Sequence, residues 1–430
     1  MDPSIRDQTY MRRALDLAAQ GLGRVEPNPM VGAVVVRGGE IVGEGYHQRF
    51  GGPHAEVFAL QAAGPRARGA ELFVSLEPCC HQGKTPPCTG AIQAAGVRRV
   101  VAAVADPFPE VCGRGLAVLK ATGIETTVGV LAEEARRLNA AFFKRQKTGL
   151  PLVIAKWAMT LDGCLATAAR RGGWISSEES RRRVHEVRRV VDAVLVGAGT
   201  VLADEPSLTV RHVAPLPERG QPTRVIVDGR LVMDPAKNPG RTARDAPVIV
   251  YTSADAVRER ADKAAALREE GCEVIEVPLD AGGVPLRGGA SPEPGRGGES
   301  PQPGRGGASP QTERGGSLAT ASLRPDPPRT DGRTPSVPLS LRSVLEDLGA
   351  RGMSRVLVEG GARVLGSFLA AGLVDRVMIF VSPRILAGAD ALGPAAGPGG
   401  RALADALPVA DLTTERVGPD LLIQGRLGEF

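Results

Sequence analysis

Alternating runs of apolar and polar residues divide the chain into regions of α/β type. In the first region, apolar residues between positions 8 and 21 recur every three or four residues, which predicts an amphipathic helix. Two β-forming runs, 31–36 and 41–46, flank a Gly-containing turn and predict a hairpin. A helix over 54–63, a strand over 72–76, a helix over 89–95 and a strand over 100–105 follow. This order predicts a mixed sheet with helices on its faces.

The pattern changes little in the second region, where strands and helices alternate again. Strands are predicted over 152–158, 193–197, 224–228, 248–252, 273–277, 356–359, 377–381 and 421–427, and helices over 177–189, up to residue 270, over 341–348 and over 363–371. Such alternation predicts a largely parallel sheet. We therefore expect one domain over 1–145, a linker over 144–149 and a second domain over 150–430.

One stretch has almost no apolar residues to bury. Between residue 281 and about 338 the chain is rich in Gly, Pro, Ser and Arg, with a nine-residue repeat over 291–299, 300–308 and 309–317. We predict a disordered insertion at about 283–338, because so polar a segment cannot offset the entropy of ordering it. An Arg-Gly-Gly element that binds nucleic acid is the alternative. It is disfavoured because the segment has nearly balanced charges and no aromatic residue for base stacking.

The overall composition limits the function further. The net charge of +5 comes from basic residues spread along the whole chain, which argues against a nucleic-acid-binding patch. No apolar run is long enough for a membrane helix, and the first residues lack the features of a signal peptide, so we expect a cytoplasmic protein. Six Cys without a secretion signal favour reduced thiols. Three of them lie within ten residues, a spacing typical of a metal site.

The strongest chemical signal is a set of zinc-type ligands with an acid beside them. His54, Cys79 and Cys88 supply one imidazole and two thiolates, which leaves the fourth position of a tetrahedral zinc ion for water. Glu56 can take a proton from that water and deliver it to a substrate ring and its leaving group, as in zinc deaminases. The alternative is a closed structural site with Cys80 or His81 as a fourth ligand, but such a site has no use for Glu56.

Four segments of the first region form a further pattern: the Pro-Asn-Pro turn at 27–29, the His-Ala-Glu run at 54–56, the long loop from Cys79 to Cys88 and the Asp-Pro at 106–107. Together they closely resemble the deaminase half of the bifunctional riboflavin biosynthesis deaminase-reductases, and the resemblance spans nearly all of 1–145. It implies a phosphoribosylated diaminopyrimidinone substrate whose 2-amino group is replaced by oxygen. It also implies five substrate-binding residues, namely Asn28, His47, His81, Lys84 and Asp106.

Asn28, His81 and Lys84 also have a reading from the residues themselves. Two flanking prolines restrict the backbone around Asn28, which suits a residue that reads a ligand, although a merely rigid turn has the same pattern. The loop between the two Cys is longer than in many deaminases and supplies His81 and Lys84. Cys80 and Phe108 depart from the family pattern, which has Ser and Asn there. Cys79 is preferred as the ligand because it follows Pro78.

The second region resembles the reductase half of the same enzymes in its segments 156–163, 174–177, 196–211 and 358–361. The resemblance implies a dihydrofolate-reductase-like α/β domain beside the cytidine-deaminase-like α/β/α domain, and NADPH-dependent reduction of the ribosyl group to ribityl. The sequence lacks the Gly-x-Gly-x-x-Gly fingerprint, so it does not support a Rossmann domain. A helix that opens at the Gly-Gly turn of 360–361 could hold a cofactor phosphate.

Residues of the reductase half are carried over in the same way. The resemblance places Ala158, Trp174, Thr200, Asp204 and the run from Gly361 beside NADPH, places Gly172, Arg188, Leu208, Arg211 and Glu359 at the substrate, and makes Lys156 and Asp162 active-site residues without an assigned role. Gly172 stands where the family often has Ser. Arg188 and Arg211 suit a phosphate, although solvated surface arginines are the alternative.

The sequence therefore predicts a two-step enzyme of riboflavin biosynthesis, with one zinc ion per chain and NADPH. Its expected partner is a small phosphorylated pyrimidine, with no nucleic acid and no membrane, and a homo-oligomer is left open. One alternative is a zinc-dependent nucleoside or nucleic-acid deaminase with an unrelated nucleotide-binding second domain. Another is a zinc-stabilised binding protein that holds a nucleotide as a regulatory ligand.

Overall fold

The computed structural model describes residues 3–108, 110–165, 174–280, 339–387, 393–395 and 405–428. None of the helices within these ranges is long and apolar enough to cross a membrane. The α-helices are α1 (Pro3–Ala19), α2 (Ala55–Ala63), α3 (Cys88–Ala95), α4 (Arg114–Ala121), α5 (Ala132–Leu138), α6 (Ala140–Thr148), α7 (Glu178–Val190), α8 (Ala198–Asp204), α9 (Ala254–Glu259), α10 (Ala261–Glu269), α11 (Leu341–Ala350) and α12 (Ala362–Ala370). The strands are β1 (Gly32–Arg37), β2 (Glu40–Tyr46), β3 (Glu71–Val74), β4 (Arg99–Ala102), β5 (Glu125–Val128), β6 (Leu152–Thr160), β7 (Ala193–Gly197), β8 (Thr223–Val227), β9 (Val248–Thr252), β10 (Glu273–Glu276), β11 (Arg355–Glu359), β12 (Arg376–Ser382), β13 (Ala410–Val417) and β14 (Asp420–Arg426).

The N-terminal sheet has five strands in the order β2-β1-β3-β4-β5. Strand β1 pairs antiparallel with β2 and β3, whereas β3, β4 and β5 are parallel, so the predicted mixed sheet is confirmed. Alternate residues of each strand face opposite layers. Val34 and Phe73 pack with Met11 of α1, while Val35 and Leu72 face the cluster that includes helix α2.

The C-terminal sheet has nine strands in the order β10-β9-β8-β7-β11-β6-β12-β14-β13. The strands from β10 to β12 run parallel, and β14 and β13 continue the sheet in antiparallel pairing, so the predicted largely parallel sheet is confirmed. The carboxyl ends of its parallel strands meet at one edge. In open α/β sheets, ligands bind at this edge.

The segment predicted as a linker, 144–149, is mostly helical. Helix α6 extends to Thr148 and ends at Gly149, whose φ of 74° is the left-handed conformation of a helix C-cap. Lys144 of this helix makes a 2.5 Å ion pair with Asp375, whose carboxylate also accepts a hydrogen bond from the backbone of Val153 at 2.7 Å. The polar residues 144–147 are typical of a linker, but Lys, Arg and Gln are also good helix formers, and one face of this helix is half-buried.

The predicted insertion at about 283–338 lies outside the described residues. The described positions that flank it are neighbours in space: Leu279 and Leu339 form an antiparallel bridge, and Ser340 donates a backbone hydrogen bond to Pro278 at 2.9 Å.

Candidate active sites

His54, Cys79 and Cys88 converge although they lie on three separate segments. His54 caps the N-terminus of α2, Cys88 is the first residue of α3, and Cys79 lies in the loop after β3. His54 Nδ1 is 3.2 Å from Cys88 Sγ and 3.5 Å from Cys79 Sγ. The three ligand atoms all lie within 4.8 Å of one another. Ligands about 2.0–2.3 Å from a tetrahedral zinc ion have separations of this size, so the donor set fits that metal.

The orientation of His54 is fixed by a residue that sequence reasoning missed. Thr85 Oγ1 lies 3.3 Å from His54 Nε2, on the opposite side of the ring from the two sulfurs. A proton on Nε2 can be donated to this hydroxyl, which leaves the lone pair of Nδ1 directed at the thiols. Contacts of this kind hold a histidine ligand in the tautomer that a metal needs. Thr85 lies within the loop between the two Cys, so its proximity to the cluster was a usable signal.

The two thiols differ in acidity. The thiol and the backbone N–H of Cys88 both donate to Cys79 Sγ, and the distance from the Cys88 backbone nitrogen to this sulfur is 3.4 Å. Hydrogen bonding from Cys88, together with His54, lowers the pKa of Cys79 to about 4 although burial opposes the change. The same hydrogen bond to Cys79 and the burial of Cys88 raise the pKa of Cys88. Cys79 is therefore the first of the two thiols to lose its proton as pH rises.

Neither alternative fourth ligand joins the cluster. Among the described residues, the group that could hold a metal contains His54, Cys79 and Cys88 but not Cys80 or His81. Cys80 Sγ instead lies 3.8 Å from the backbone oxygen of Glu110. The geometry therefore favours an open site over a closed structural one.

Glu56 lies in the first turn of α2 and is only 3% exposed. Burial raises the pKa of its carboxyl to about 7, with the negative Cys79 adding to the rise and His54 opposing it. A carboxyl that titrates near neutral pH can both accept and donate a proton under working conditions. This is the property that the sequence analysis required of Glu56.

The residues predicted for the deaminase site line one cavity of about 320 Å³. Cys88 is the exception, since it is fully buried behind His54. The predicted residues in the wall are Asn28, His47, His54, Glu56, Cys79, His81, Lys84 and Asp106. Helix α6 forms part of the same wall with Phe142 and with Gln146, the second of which falls in the predicted linker.

Asn28 and His47 form a hydrogen-bonded pair. Asn28 Nδ2 is 3.2 Å from His47 Nε2, and His47 Nδ1 is 3.0 Å from the backbone oxygen of Pro53. Since a carbonyl oxygen only accepts, Nδ1 carries the proton and Nε2 accepts from the Asn28 amide. Burial lowers the pKa of His47 and favours this neutral form. The amide oxygen of Asn28 is then not needed by His47 and can accept a hydrogen bond from a ligand.

Asp106 is positioned by a buried carboxylate. Glu77 accepts backbone hydrogen bonds from Asp106 at 3.1 Å, Gly113 at 2.9 Å and Leu116 at 3.2 Å, which holds the loop after β4 against the cavity. Burial raises the pKa of Asp106 to about 6, although a backbone hydrogen bond from Phe108 opposes the change. Glu77 was not predicted, because nothing in its local sequence marks it as more than the end of a strand.

Lys84 and His81 each contact an aromatic ring at the cavity. Lys84 Nζ lies 4.0 Å from the centroid of the Phe50 ring, and the His81 ring lies 5.7 Å from that of Phe108. Phe108, a departure from the family pattern, therefore supports a predicted substrate residue. Lys84 places a cation at the wall, where it suits a phosphate.

Three residues predicted for the reductase meet at the carboxyl edge of the C-terminal sheet. Lys156 of β6 and Glu359 of β11 are register partners on adjacent parallel strands. Arg188 of α7 binds the Glu359 carboxylate with two hydrogen bonds, Nε–Oε1 at 2.6 Å and Nη2–Oε2 at 3.0 Å. The Arg188 side chain is 11% exposed, so it is not a solvated surface arginine.

The charges of this group are interdependent. Burial lowers the pKa of Lys156, with Arg188 acting in the same direction and Glu359 opposing it. Burial acts to raise the pKa of Glu359, but Arg188 and Lys156 outweigh it and hold that pKa below its ordinary value. The result is a buried carboxylate beside an amine that loses its proton more readily than an exposed lysine does.

Two predicted cofactor residues lie next to each other at the same edge. Gly361 caps α12, and its backbone N–H donates to Thr200 Oγ1 of α8 at 3.2 Å. A Cβ at Gly197 would lie 2.5 Å from Val364, so α12 packs closely on the end of β7. Gly361 and Arg363 are exposed at this N-terminus, which suits a phosphate group.

The remaining reductase predictions have varied surroundings. Ala158 is half-buried in β6, Asp204 is exposed at the end of α8, and Trp174 is 72% exposed beneath Arg181. Asp162 accepts hydrogen bonds from Thr160 and from the backbone of residues 386 and 387, so its carboxylate ties two loops together. Gly172 lies outside the described residues.

Leu208 and Arg211 belong to a segment held against α7. The backbone N–H of Arg211 donates to His185 Nδ1 at 3.1 Å, and Arg211 itself is exposed. His185 was not predicted, although its position three residues before Arg188 on the same helix was a usable signal.

Comparison with known proteins agrees with this geometry. The family model of the cytidine and deoxycytidylate deaminase zinc-binding region matches residues 4–104, and that of the RibD C-terminal domain matches 151–281 and 320–423. The riboflavin biosynthesis protein RibD of Aquifex aeolicus (strain VF5) is 39% identical over 417 residues, covering 97% of this chain and 97% of that protein. RibD of Escherichia coli (strain K12) is 35% identical over 428 residues, with 97% and 99% covered.

Solved structures give the same picture. Acinetobacter baumannii RibD, form 1, superposes with a TM-score of 0.75 at 30% identity and covers 99% of this chain and 100% of its own. A diaminohydroxyphosphoribosylaminopyrimidine deaminase/5-amino-6-(5-phosphoribosylamino)uracil reductase of Thermotoga maritima superposes with a TM-score of 0.72 at 33% identity, with 99% of each chain covered. This chain therefore belongs to the RibD family of riboflavin biosynthesis proteins and is an enzyme with a deaminase region and a reductase region.

Proposed function

We propose that this chain catalyses two consecutive steps of riboflavin biosynthesis. The first is hydrolytic deamination of 2,5-diamino-6-ribosylamino-4(3H)-pyrimidinone 5′-phosphate, and the second is NADPH-dependent reduction of the ribosyl side chain to ribityl. The observation that carries the first step is the convergence of His54, Cys79 and Cys88 beside the buried carboxyl of Glu56. The nucleic-acid deaminase alternative is not favoured, because it leaves the RibD-type C-terminal region without a role.

One zinc ion per chain is proposed at the His54, Cys79 and Cys88 cluster. When bound there, zinc makes a hydroxide available near neutral pH. Glu56 accepts one proton from the attacking water on a carboxylate oxygen and delivers it to the ring nitrogen. It then carries a second proton, released by the hydroxyl of the tetrahedral adduct as the new carbonyl forms, to the amino group that leaves as ammonia. Its pKa of about 7 suits both halves of this transfer. With its Nε2 proton donated to Thr85, His54 can present the lone pair of Nδ1 to the metal.

The cavity walls supply groups for binding the pyrimidine. Asn28, held by His47, and Asp106, held by Glu77, offer amide and carboxyl groups that can pair with a ring edge. His81 and Lys84 come from the loop between the two Cys, and the Lys84 ammonium suits the ribose phosphate.

For the reductase step, we propose that NADPH lies along the carboxyl edge of the C-terminal sheet, bordered by Ala158, Trp174, Thr200, Asp204 and the run from Gly361. The cofactor supplies a hydride for C1 of the ribosyl group. Glu359 and Arg188 face the substrate as a locked pair, and Lys156 beside them holds an easily released proton. Arg211 is the more exposed cation and is assigned to the substrate phosphate, with Leu208 beside it. Gly172 is kept as a proposed substrate contact.

Domain limits of about 1–145 and 150–430 are proposed with the insertion at about 283–338 inside the second domain. The ranges matched by the two family models support this division, as does the bridge between Leu279 and Leu339. A cytoplasmic location and an open oligomeric state remain expectations from the sequence.

The test is an assay of both half-reactions with one preparation of the purified chain. Without NADPH, we expect one ammonia per substrate and accumulation of the deaminated ribosyl product, with about one zinc per chain by elemental analysis. Addition of NADPH should convert that product to the ribityl compound. One NADPH should be oxidised for each molecule of product formed, measured as the loss of absorbance at 340 nm. Ammonia release from cytidine or single-stranded DNA, but not from the diaminopyrimidinone, would instead support the alternative.

A further inference from the structure

The segment Leu208–His212 has unusual backbone geometry at both ends. Leu208 has a φ of 55° and His212 a φ of 62°, which is the left-handed region in which residues with a Cβ are strained. Such conformations persist only where the surrounding structure holds them, and they cluster at binding sites. The residues between them include Arg211, which is assigned to the substrate phosphate.

Three side chains hold three successive backbone positions of this segment. Arg188 Nη1 donates to the oxygen of Thr209 at 3.0 Å. Gln221 accepts from the N–H of Val210 at 2.6 Å and donates to its oxygen at 3.3 Å. His185 Nδ1 accepts from the N–H of Arg211 at 3.1 Å. The backbone is therefore fixed immediately before and at the residue that carries the exposed guanidinium.

His185 can do this only as a neutral imidazole. A backbone N–H needs an acceptor, so Nδ1 must carry a lone pair and the ring proton must be on Nε2. The ring is 6% exposed, lies on α7 one turn before Arg188, and stands 5.4 Å from the His212 ring. The charged and titratable groups that face it are Arg188 from its own helix, Arg211 and His212 from the segment, and Glu359 from β11. Three of these four groups disfavour a positive charge on the ring.

We propose that His185 is a positioning residue of the reductase: it fixes the backbone of Arg211 and thereby aims the Arg211 guanidinium at the phosphate of the substrate. This inference rests on the proposed reductase function. Because Arg188 binds both Thr209 and Glu359, it joins the phosphate-binding segment to the carboxylate at the reacting end of the site. Gln221 holds the same segment through the backbone of Val210.

A positioning role makes a specific kinetic prediction. Substituting Leu for His185 removes the acceptor and frees the segment, so the KM for the phosphorylated ribosyl intermediate should rise about tenfold, as expected when one buried hydrogen bond is lost. The kcat should change by less than about twofold, because no group at the reacting carbon is altered. The KM for the same compound without its phosphate should not change, so discrimination in favour of the phosphate falls.

The matched variants separate positioning from folding. His185→Asn should restore most of the affinity, since its amide oxygen can accept the same N–H, and Gln221→Leu should shift KM in the same direction as His185→Leu. His212→Asn is the control, because Asn tolerates left-handed backbone and the substitution leaves the hydrogen bond to Arg211 in place. Deaminase turnover by each preparation and a thermal melt show that the chain is folded.

Each outcome decides the matter. A higher KM in His185→Leu with rescue by Asn supports the proposal. An unchanged KM in both His185→Leu and Gln221→Leu overturns it, and so does an equal loss with the phosphorylated and dephosphorylated compounds. If His185→Leu does not fold, Gln221→Leu and His185→Asn carry the same comparison. Absence of NADPH oxidation by the unsubstituted, zinc-loaded chain would refute the proposed reductase function itself.

Discussion

The cavity around His54 and the carboxyl edge of the C-terminal sheet assemble their functional groups in different ways. In the cavity, most groups come from loops and helix N-termini, and each is oriented by a second residue: Thr85 for His54, His47 for Asn28 and Glu77 for Asp106. At the sheet edge, the central groups come from strands and are oriented by strand register. There, Lys156 and Glu359 are neighbours because β6 and β11 are parallel.

This difference follows from the chemistry that each site needs. Metal ligands must converge to within about 4 Å, so short motifs around turns and helix N-termini are effective. The cofactor and sugar phosphate proposed for the reductase step would extend over a much longer distance, and the edge of a parallel sheet provides a row of strand ends. The deaminase site is therefore more local in sequence, and substitutions there should affect one reaction without the other.

The largest expected effect is from Glu56→Gln. Gln keeps the shape of the side chain but cannot carry the proton, so deamination should fall by about 10³-fold or more. Zinc content should stay near one per chain, and reduction of supplied deaminated intermediate should be unchanged. Glu40→Gln, at an exposed position in the same domain, is the control. Loss of zinc in Glu56→Gln would contradict the proton-transfer role.

A smaller effect is expected from Glu359→Gln. The substitution removes the negative charge that pairs with Arg188 and that raises the pKa of Lys156. Reductase kcat/KM should therefore fall about 100-fold. Deaminase turnover should be unchanged. Glu415→Gln is the matched control, because Glu415 pairs with Arg183 at an exposed position of the same region. Equal losses in both half-reactions would show that the two sites are not independent in this respect.

Lys144→Met tests how much the ion pair between helix α6 and Asp375 stabilises the fold. It leaves the buried carboxylate of Asp375 without its ion pair, which should cost about 3 kcal/mol in free energy of unfolding and lower the melting temperature by several degrees. Activity at low temperature should be reduced only slightly. Lys147→Met, exposed on the same helix, should melt like the unsubstituted chain. Equal melting of the two variants would mean that the Lys144–Asp375 pair does not stabilise the fold.

The smallest effect concerns pH. Burial, with Arg188 and Arg211 adding, lowers the pKa of His185 to about 4. Since the folded value lies below the ordinary value of about 6.5, the stability contributed by the neutral ring is complete above pH 6.5 and is lost as pH falls toward 4. Of the five His resonances, the one missing from His185→Asn should titrate below pH 5 by NMR. A midpoint near 6.5 would show that the ring is not held neutral.

The sequence by itself determined the local chemistry of the first region. The spacing of His54, Glu56, Cys79 and Cys88 predicted the zinc-type cluster, and the hydrophobic pattern predicted a mixed sheet followed by a largely parallel one. These features could be read because strand and helix periodicity and ligand spacing are local properties of the chain. The family resemblance added the substrate and the reductase residues, whose roles remain proposals.

Only the tertiary structure decided the features that depend on distant pairings. The sequence predicted a linker over 144–149, and only the tertiary structure shows that helix α6 lines the cavity with Gln146 and binds Asp375 through Lys144. The hold of His185 and Gln221 on the Arg211 segment, and of Glu77 on Asp106, likewise joins elements far apart in sequence. The physical reason is that such contacts depend on how strands and helices pack, and packing leaves no fixed spacing in a single sequence.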